Sequence, residues 1–470
     1  MDFSKMDALI DSWQGEMIDM LRGWLAIDSV QAEKSADNAP FGDNVRRMLD
    51  LFLADAGKLG FEVDDVDGYA GSAQMGEGSR TLGILAHLDI VPAGDGWTRD
   101  PFGGEIADGM IYGRGVQDDK GPALMALYAM RAVREAGIPL KDAVRLIVGC
   151  DEETGMSDMR YYAKTRKMPD YGFSPDAEFP LINIEKGGLA LKLSSLTGGE
   201  DGALIPVYSL NAGLRRNVVP GYATAEIGCA SIEFDEIKKR VESIAASHEG
   251  FDLRLKKLDG ERALLESFGK QGHAAMPELG FNAAGALLVA LDELEAGGGS
   301  KTAIQGLSRI LGVKYDGDKL GIKQSDDLSG PLTCNLGILR YDGREISVVL
   351  DIRYPLCASE DDMCKNAGVA AAPWGLKVEH IGGHTPLHVP ADNPVVTGLL
   401  EVYRDMTGIT AKPLAIGGGT YSRMMPNTVA FGVTFPGDVD RCHMPDECYA
   451  LDKFMLCVRM MAQAIVKLAG

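Results

Sequence analysis

The chain is poor in positive charge. It carries 47 lysines and arginines against 68 acidic residues, a formal net charge of −21 over 470 residues. Nucleic-acid and anionic-membrane partners need a basic face, so this deficit argues against both. No uninterrupted apolar run approaches the ~20 residues of a membrane span. The opening residues Met1-Asp2-Phe3-Ser4-Lys5 also lack the apolar core of a signal peptide. Among eight cysteines there is no C-x-x-C pair, which in a chain of this size reads as reduced thiols and a cytoplasmic protein. The run Gly417-Gly418-Gly419 is not followed by the Gly-Lys-Ser/Thr of a phosphate loop, so it fails as a nucleotide site.

What is present is an ordinary globular composition, 46% hydrophobic and 24% charged, in a chain long enough for two domains. Apolar residues at helical spacing predict a helix over 6–26 and another over 43–58, the second stopped by Gly60. The buried-strand run 82–86 ends in His87-Leu88-Asp89. The glycine-rich stretch Gly113 to Gly121 holds Asp118 and Asp119 and opens an apolar helix over 122–136. A second buried strand, 143–150, ends in Asp151-Glu152-Glu153. Strand, helix, strand implies right-handed crossovers and a mostly parallel sheet, with ligands beyond the strands' carboxyl ends.

After Pro180 the texture changes to strands near 189–196 and 217–229, helices near 234–247 and 281–295, and a hairpin over 336–352 turning at Asp342-Gly343. A helix over 360–371 and a strand over 376–381 follow. A helix over 393–406, a strand over 428–433 and a terminal helix then resume the first texture. The expected architecture is therefore α/β: a discontinuous catalytic domain, 1–185 plus 390–470, with its sheet flanked by helices. An α+β lid domain, 186–389, interrupts it.

His87, Asp118, Glu153, Asp176 and His443 all fall at strand ends or in loops of the α/β segments. Singly, each has an ordinary reading: a hydrogen-bonded histidine, a helix N-cap, a solvated acidic turn. Together they form a mixed N/O ligand set suited to Zn²⁺, with Mn²⁺ or Co²⁺ as alternatives. Five ligands exceed the needs of one catalytic zinc and suit a pair about 3.5–4 Å apart that shares a carboxylate. Asp89, on the same strand face as His87, is placed to orient that imidazole. Glu152, pointing away from Glu153 in an extended segment, is free to take a proton from water.

The motifs Leu85-Ala86-His87-Leu88-Asp89, Gly113 to Gly121, and Asp151-Glu152-Glu153-Thr154-Gly155 resemble the co-catalytic zinc peptidases, the family of aminoacylases, desuccinylases and carnosinases. Ser174-Pro175-Asp176-Ala177-Glu178-Phe179-Pro180 and Gly417-Gly418-Gly419-Thr420-Tyr421 are closest to bacterial dipeptidases of the PepV type. The resemblance implies two divalent metal ions bridged by Asp118, one completed by His87 and Asp176, the other by Glu153 and His443. Glu152 would be the general base. His273 in Gly272-His273-Ala274 would steady the oxyanion from the lid. Asn217 and Arg353 match substrate-holding positions, a guanidinium being well suited to a peptide's carboxylate, and Thr420 with the three glycines before it could bring backbone amides near a substrate carboxylate. The implied activity is hydrolysis of short peptides with a free amino end by metal-activated water, in a monomer. N-acyl-amino-acid deacylase, carboxypeptidase and a non-catalytic metal-binding protein remain open. Cys150 stands where the family often has threonine, and Cys442 adjoins His443.

Overall fold

A computed structural model describes residues 2–198, 203–258 and 260–470. The chain packs as two compact units. One comprises Met1–Ile184, Leu387–Leu414 and Gly419–Gly470; the other comprises Glu185–Pro386 and Ala415–Gly418.

In the first unit a mixed sheet runs in the order Glu62–Val66, Ala70–Met75, Ala143–Gly149, Thr81–His87, Tyr171–Ser174, Thr428–Ala430, Ile182–Glu185, Leu387–His388. Its centre is parallel. Thr81–His87 pairs in parallel with Ala143–Gly149 on one side and with Tyr171–Ser174 on the other, which in turn takes Thr428–Ala430 in parallel. Antiparallel strands flank this centre. The central strands are apolar almost throughout, as strands covered on both faces must be. Lys120–Ala136 packs on the sheet beside Leu451–Ala469 and Ser4–Ser12, with nearly every side chain from Lys120 to Val133 buried. It ends at Gly137, whose φ of 76° provides the left-handed stop.

The second unit is built on an eight-stranded antiparallel sheet, ordered Asp252–Lys257, Arg262–Phe268, Tyr222–Gly228, Val207–Ala212, Thr333–Tyr341, Glu345–Tyr354, Gly187–Leu196, Lys377–His384. Helices Phe234–Ser247, Ala283–Glu293, Lys301–Ile310 and Glu360–Ala371 share its separate apolar core. The hairpin turns at Asp342-Gly343 because the Asp342 carboxylate accepts the Arg344 and Glu345 N–H groups and Gly343 takes a φ of 87°.

Several elements differ from expectation. The first helix is two, Ser4–Ser12 and Gln14–Leu25, interrupted at Trp13, where Ser12 and Gly15 weaken helical preference. The strand expected over 217–229 is split by Pro220-Gly221 into Val218–Val219 and Tyr222–Gly228. The strand expected over 428–433 becomes Thr428–Ala430 and Val433–Thr434. Helices Ser157–Thr165 and Lys301–Ile310 were not anticipated. The first buries only Asp158, Met159 and Tyr162, too short a stripe to stand out. The second follows three consecutive glycines that read as a linker. No helix among the described residues is long and apolar enough to cross a membrane.

Candidate active site

Parallel register brings the acidic loops to one edge. His87 ends its strand opposite Gly149, so the Asp151-Glu152-Glu153 turn begins beside it. The adjacent strand Tyr171–Ser174 delivers Asp176 two residues beyond its own end. Asp118 arrives from the loop before helix Lys120–Ala136, and His443 from the loop before the terminal helix.

The carboxylate of Asp118 is shared. Its Oδ1 lies 2.9 Å from His87 Nε2, and its Oδ2 lies 2.9 Å from His443 Nε2. Asp176 Oδ2 is 3.8 Å from His87 Nε2, and Glu153 Oε1 is 3.1 Å from His443 Nε2. Two half-sites thus meet at one aspartate, one with His87 and Asp176, the other with His443 and Glu153. Ligand atoms of His87, Glu152 and Asp176 lie within 4.8 Å of one another, as do those of His87, Asp118 and Glu153. His443 holds a φ of 64°, unusual for a residue with a side chain.

The acidic triplet is not extended as expected. Residues 152–155 turn, with the Gly155 and Met156 N–H groups donating to the Asp151 carbonyl at 3.2 and 2.6 Å. The turn, rather than strand alternation, sends Glu152 toward Asp176 and Glu153 toward His443. Asp89 acts through two groups. Its backbone carbonyl lies 2.9 Å from His87 Nδ1 and fixes the tautomer that leaves Nε2 free, while its carboxylate sits farther off at 3.5 Å. That carboxylate accepts the N–H groups of Glu152 and Glu153 at 3.2 and 3.1 Å, so it also holds the acidic turn.

The donors fit divalent cations. Burial, then the Asp118 charge, pushes Asp176 up to about 7; the same two causes raise Glu153. Burial raises Glu152 well above the carboxylate range, and Asp176 and Glu153 add to it. Burial also raises Asp119, whose Oδ1 is buried without a hydrogen-bond partner while Oδ2 accepts the His87 N–H at 2.9 Å. Burial opposes charge on both imidazoles, yet hydrogen bonds to carboxylates outweigh it, raising His87 and lifting His443 to about 11. Asp118 is lowered: burial opposes, but its bonds to His443 and His87 prevail. Five carboxylates crowded around two imidazoles thus retain protons in the metal-free fold, and a cation could take the place of those protons.

The other residues expected from the sequence each have local partners. In the second unit His273 and Asn217 are adjacent: Val218 pairs with His273, and the Ala274 N–H donates to the Asn217 carbonyl at 2.9 Å. The Arg353 guanidinium is already engaged. Nε and Nη2 contact the two oxygens of Asp351 at 2.6 and 3.3 Å, and Nη1 donates to the Gly417 carbonyl at 3.1 Å. A substrate carboxylate would have to share that guanidinium with Asp351. Thr420, in the first unit, accepts the Ser422 N–H at 3.1 Å and caps the short turn Tyr421–Met424.

Two buried pairs escaped the sequence reading. Asp158 accepts the N–H groups of Cys150 and Asp151 at 2.6 and 2.8 Å, together with the Tyr421 hydroxyl, and so anchors the start of the acidic turn. Glu447 receives Arg114 Nη1 at 2.6 Å, both side chains being fully enclosed. Only their positions could have hinted at this: Asp158 just beyond the acidic turn, Glu447 four residues past His443.

Residues 83–467 match the model of peptidase family M20/M25/M40. The chain belongs to that family. Over 97% of its length it is 37% identical to YtjP of Bacillus subtilis (strain 168), provisionally named a dipeptidase, covering 100% of that protein. It is 35% identical to the Beta-Ala-Xaa dipeptidase of Lactobacillus delbrueckii subsp. lactis, over 94% of each chain. Human carnosine dipeptidase 1 superposes with a TM-score of 0.59 at 15% identity, over 100% of this chain and 99% of that one, a likeness of fold.

Proposed function

We propose that this M20-family enzyme is a metal-dependent dipeptidase acting on short peptides with a free amino end. The observation that carries the reading is the Asp118 carboxylate, whose two oxygens face two different imidazoles, each backed by a further carboxylate. The dipeptidase names of the relatives support the substrate class.

His87, Asp118 and Asp176 would hold one cation, and Asp118, Glu153 and His443 the other. We assign zinc, with manganese or cobalt as alternatives, because two imidazoles among carboxylates suit these ions. Bound there, the cations would polarise the scissile carbonyl and lower the pKa of water. Glu152, whose pKa burial raises, is suited to accept a proton from water and return it to the leaving amine. Asp89 fixes the His87 tautomer and the position of Glu152. From the second unit His273 is assigned to the oxyanion, and Asn217 and Arg353 to the substrate, on the resemblance of their motifs. Thr420, which caps the turn Tyr421–Met424, is assigned to the substrate as well, through the backbone amides of the glycine run before it. We further propose a cytoplasmic monomer; eight free thiols suit a reducing compartment.

The test is metal content per chain measured beside hydrolysis of a dipeptide panel and of N-acetyl and N-succinyl amino acids. Two metals with preferential dipeptide cleavage is the expected result. Preferential deacylation would reassign the substrate, and a metal-free, inactive chain would overturn the scheme. Gel filtration at the dimer's volume would exclude the monomer.

A further inference from the structure

Glu447 takes no part in the chemistry above, yet it is fully buried beside Asp118. Its Oε1 accepts three backbone N–H groups, from Gly115 at 3.1 Å, Gln117 at 2.9 Å and Asp118 at 3.3 Å. Its Oε2 receives Arg114 Nη1 at 2.6 Å, and its backbone carbonyl accepts the Gly113 N–H at 2.9 Å. One residue therefore meets the 113–118 loop at five points. Two flanking contacts continue the seam: strand Cys448–Ala450 pairs with Met110–Tyr112, and Asp446 accepts the Thr98 N–H at 2.9 Å.

Other bonds hold the loop's flanks, such as the Arg114 N–H to the Pro101 carbonyl at 2.8 Å and Gln117 Nε2 to Thr434 Oγ1 at 3.0 Å. Glu447 accepts the amides at Gly115, Gln117 and Asp118 themselves. Gly115 holds a φ of 91°, and a Cβ there would press on Ile90 and Lys120 at 3.1 Å, so glycine is required but exerts no constraint of its own. Amides pointing inward without an acceptor would be costly to bury. Glu447 supplies that acceptor from the segment that also carries His443, four residues earlier.

We propose that Glu447 is a positioning residue that sets the Asp118 carboxylate relative to His443, so that the two half-sites acquire their shared ligand in one register. The inference rests on the reading of Asp118 as the bridging metal ligand. Arg114 balances the buried charge, while the acceptor oxygen of Glu447 does the positioning.

Two double variants isolate that oxygen, because they carry equal charge: Arg114→Met with Glu447→Gln, and Arg114→Met with Glu447→Leu. The readouts are Co²⁺ and Zn²⁺ affinity, by calorimetric titration into metal-free protein, and the melting temperature of the metal-free form. The Gln variant keeps an acceptor and is expected within ~3-fold of the parent. The Leu variant is expected to bind metal about 10–100-fold more weakly, the usual range for losing a residue that orients a ligand. Equal affinity in both variants would overturn the proposal, and so would a loss of more than ~10-fold in a folded Gln variant. If the Leu variant does not fold, hydrogen exchange in the metal-free parent decides. Protected amides at Gly115 and Gln117 support the proposal, and exchange at open-loop rates overturns it. A parent protein that binds no metal would instead defeat the underlying reading of the site.

Discussion

Asp176, Glu152 and Glu153 are driven toward their protonated forms by burial and by neighbouring charge, whereas His87 and His443 are driven toward theirs by the carboxylates they meet. These five shifts are upward, so at these groups the metal-free fold binds more protons than the unfolded chain. Their contribution to stability should therefore fall as pH rises, between 3.8 and about 7 through Asp176 and between 6.5 and about 11 through His443, while burial of Lys120, lowered to about 7, acts in the opposite sense up to 10.5. A cation reverses the sign, because ligands bind it deprotonated. Metal titrated into metal-free protein at neutral pH should release protons, read from the heat in buffers of different ionisation enthalpy. No proton release would remove these residues from the ligand set. Glu152 is separable from the ligands by its outcome. Glu152→Ala should cost about 10²–10⁴-fold in kcat while metal content per chain stays at the parent value. Undiminished turnover would strip it of the base role.

At the scale of elements, Gly149 shows how a strand end serves the site. A Cβ at this position would occupy the space of the Tyr421 hydroxyl and the Asp158 carboxylate, the pair that anchors the acidic turn. Gly149→Ala should destabilise the protein by about 1–3 kcal/mol, the range for overpacking, in chemical unfolding. It should also lower kcat, because the turn bearing Glu152 moves with that pair. Parental kcat would show that the turn does not depend on it. The sequence made the strands and the residues at their ends legible, since buried runs and helix stops are local signals. Helix Phe234–Ser247 and helix Glu360–Ala371 lie where apolar spacing put them. What stayed hidden was set by contacts between distant segments. The turn of the acidic triplet depends on Asp89 and Asp158, the commitment of Arg353 on Asp351 and Gly417, and the clasp of Glu447 on a loop about 330 residues earlier.

Across the whole molecule, every candidate metal ligand lies in the unit formed by the chain's two ends, and the other unit has its own core. Calorimetric unfolding should therefore resolve two transitions, of which chelation lowers one and leaves the other in place. A single transition, or two that shift equally, would mean the units do not unfold independently.

The order of the candidate ligands along the chain has a consequence for synthesis. His87, Asp118, Glu153 and Asp176 precede the second unit in the sequence, whereas His443 and Glu447 follow it. Folding of the first unit cannot finish, and its second half-site cannot assemble, until the segment after the second unit has been made. A ribosome-bound chain thus carries a crowd of carboxylates without their final histidine. The candidate metal site is therefore complete only once the segment that follows the second unit, and carries His443, has been made.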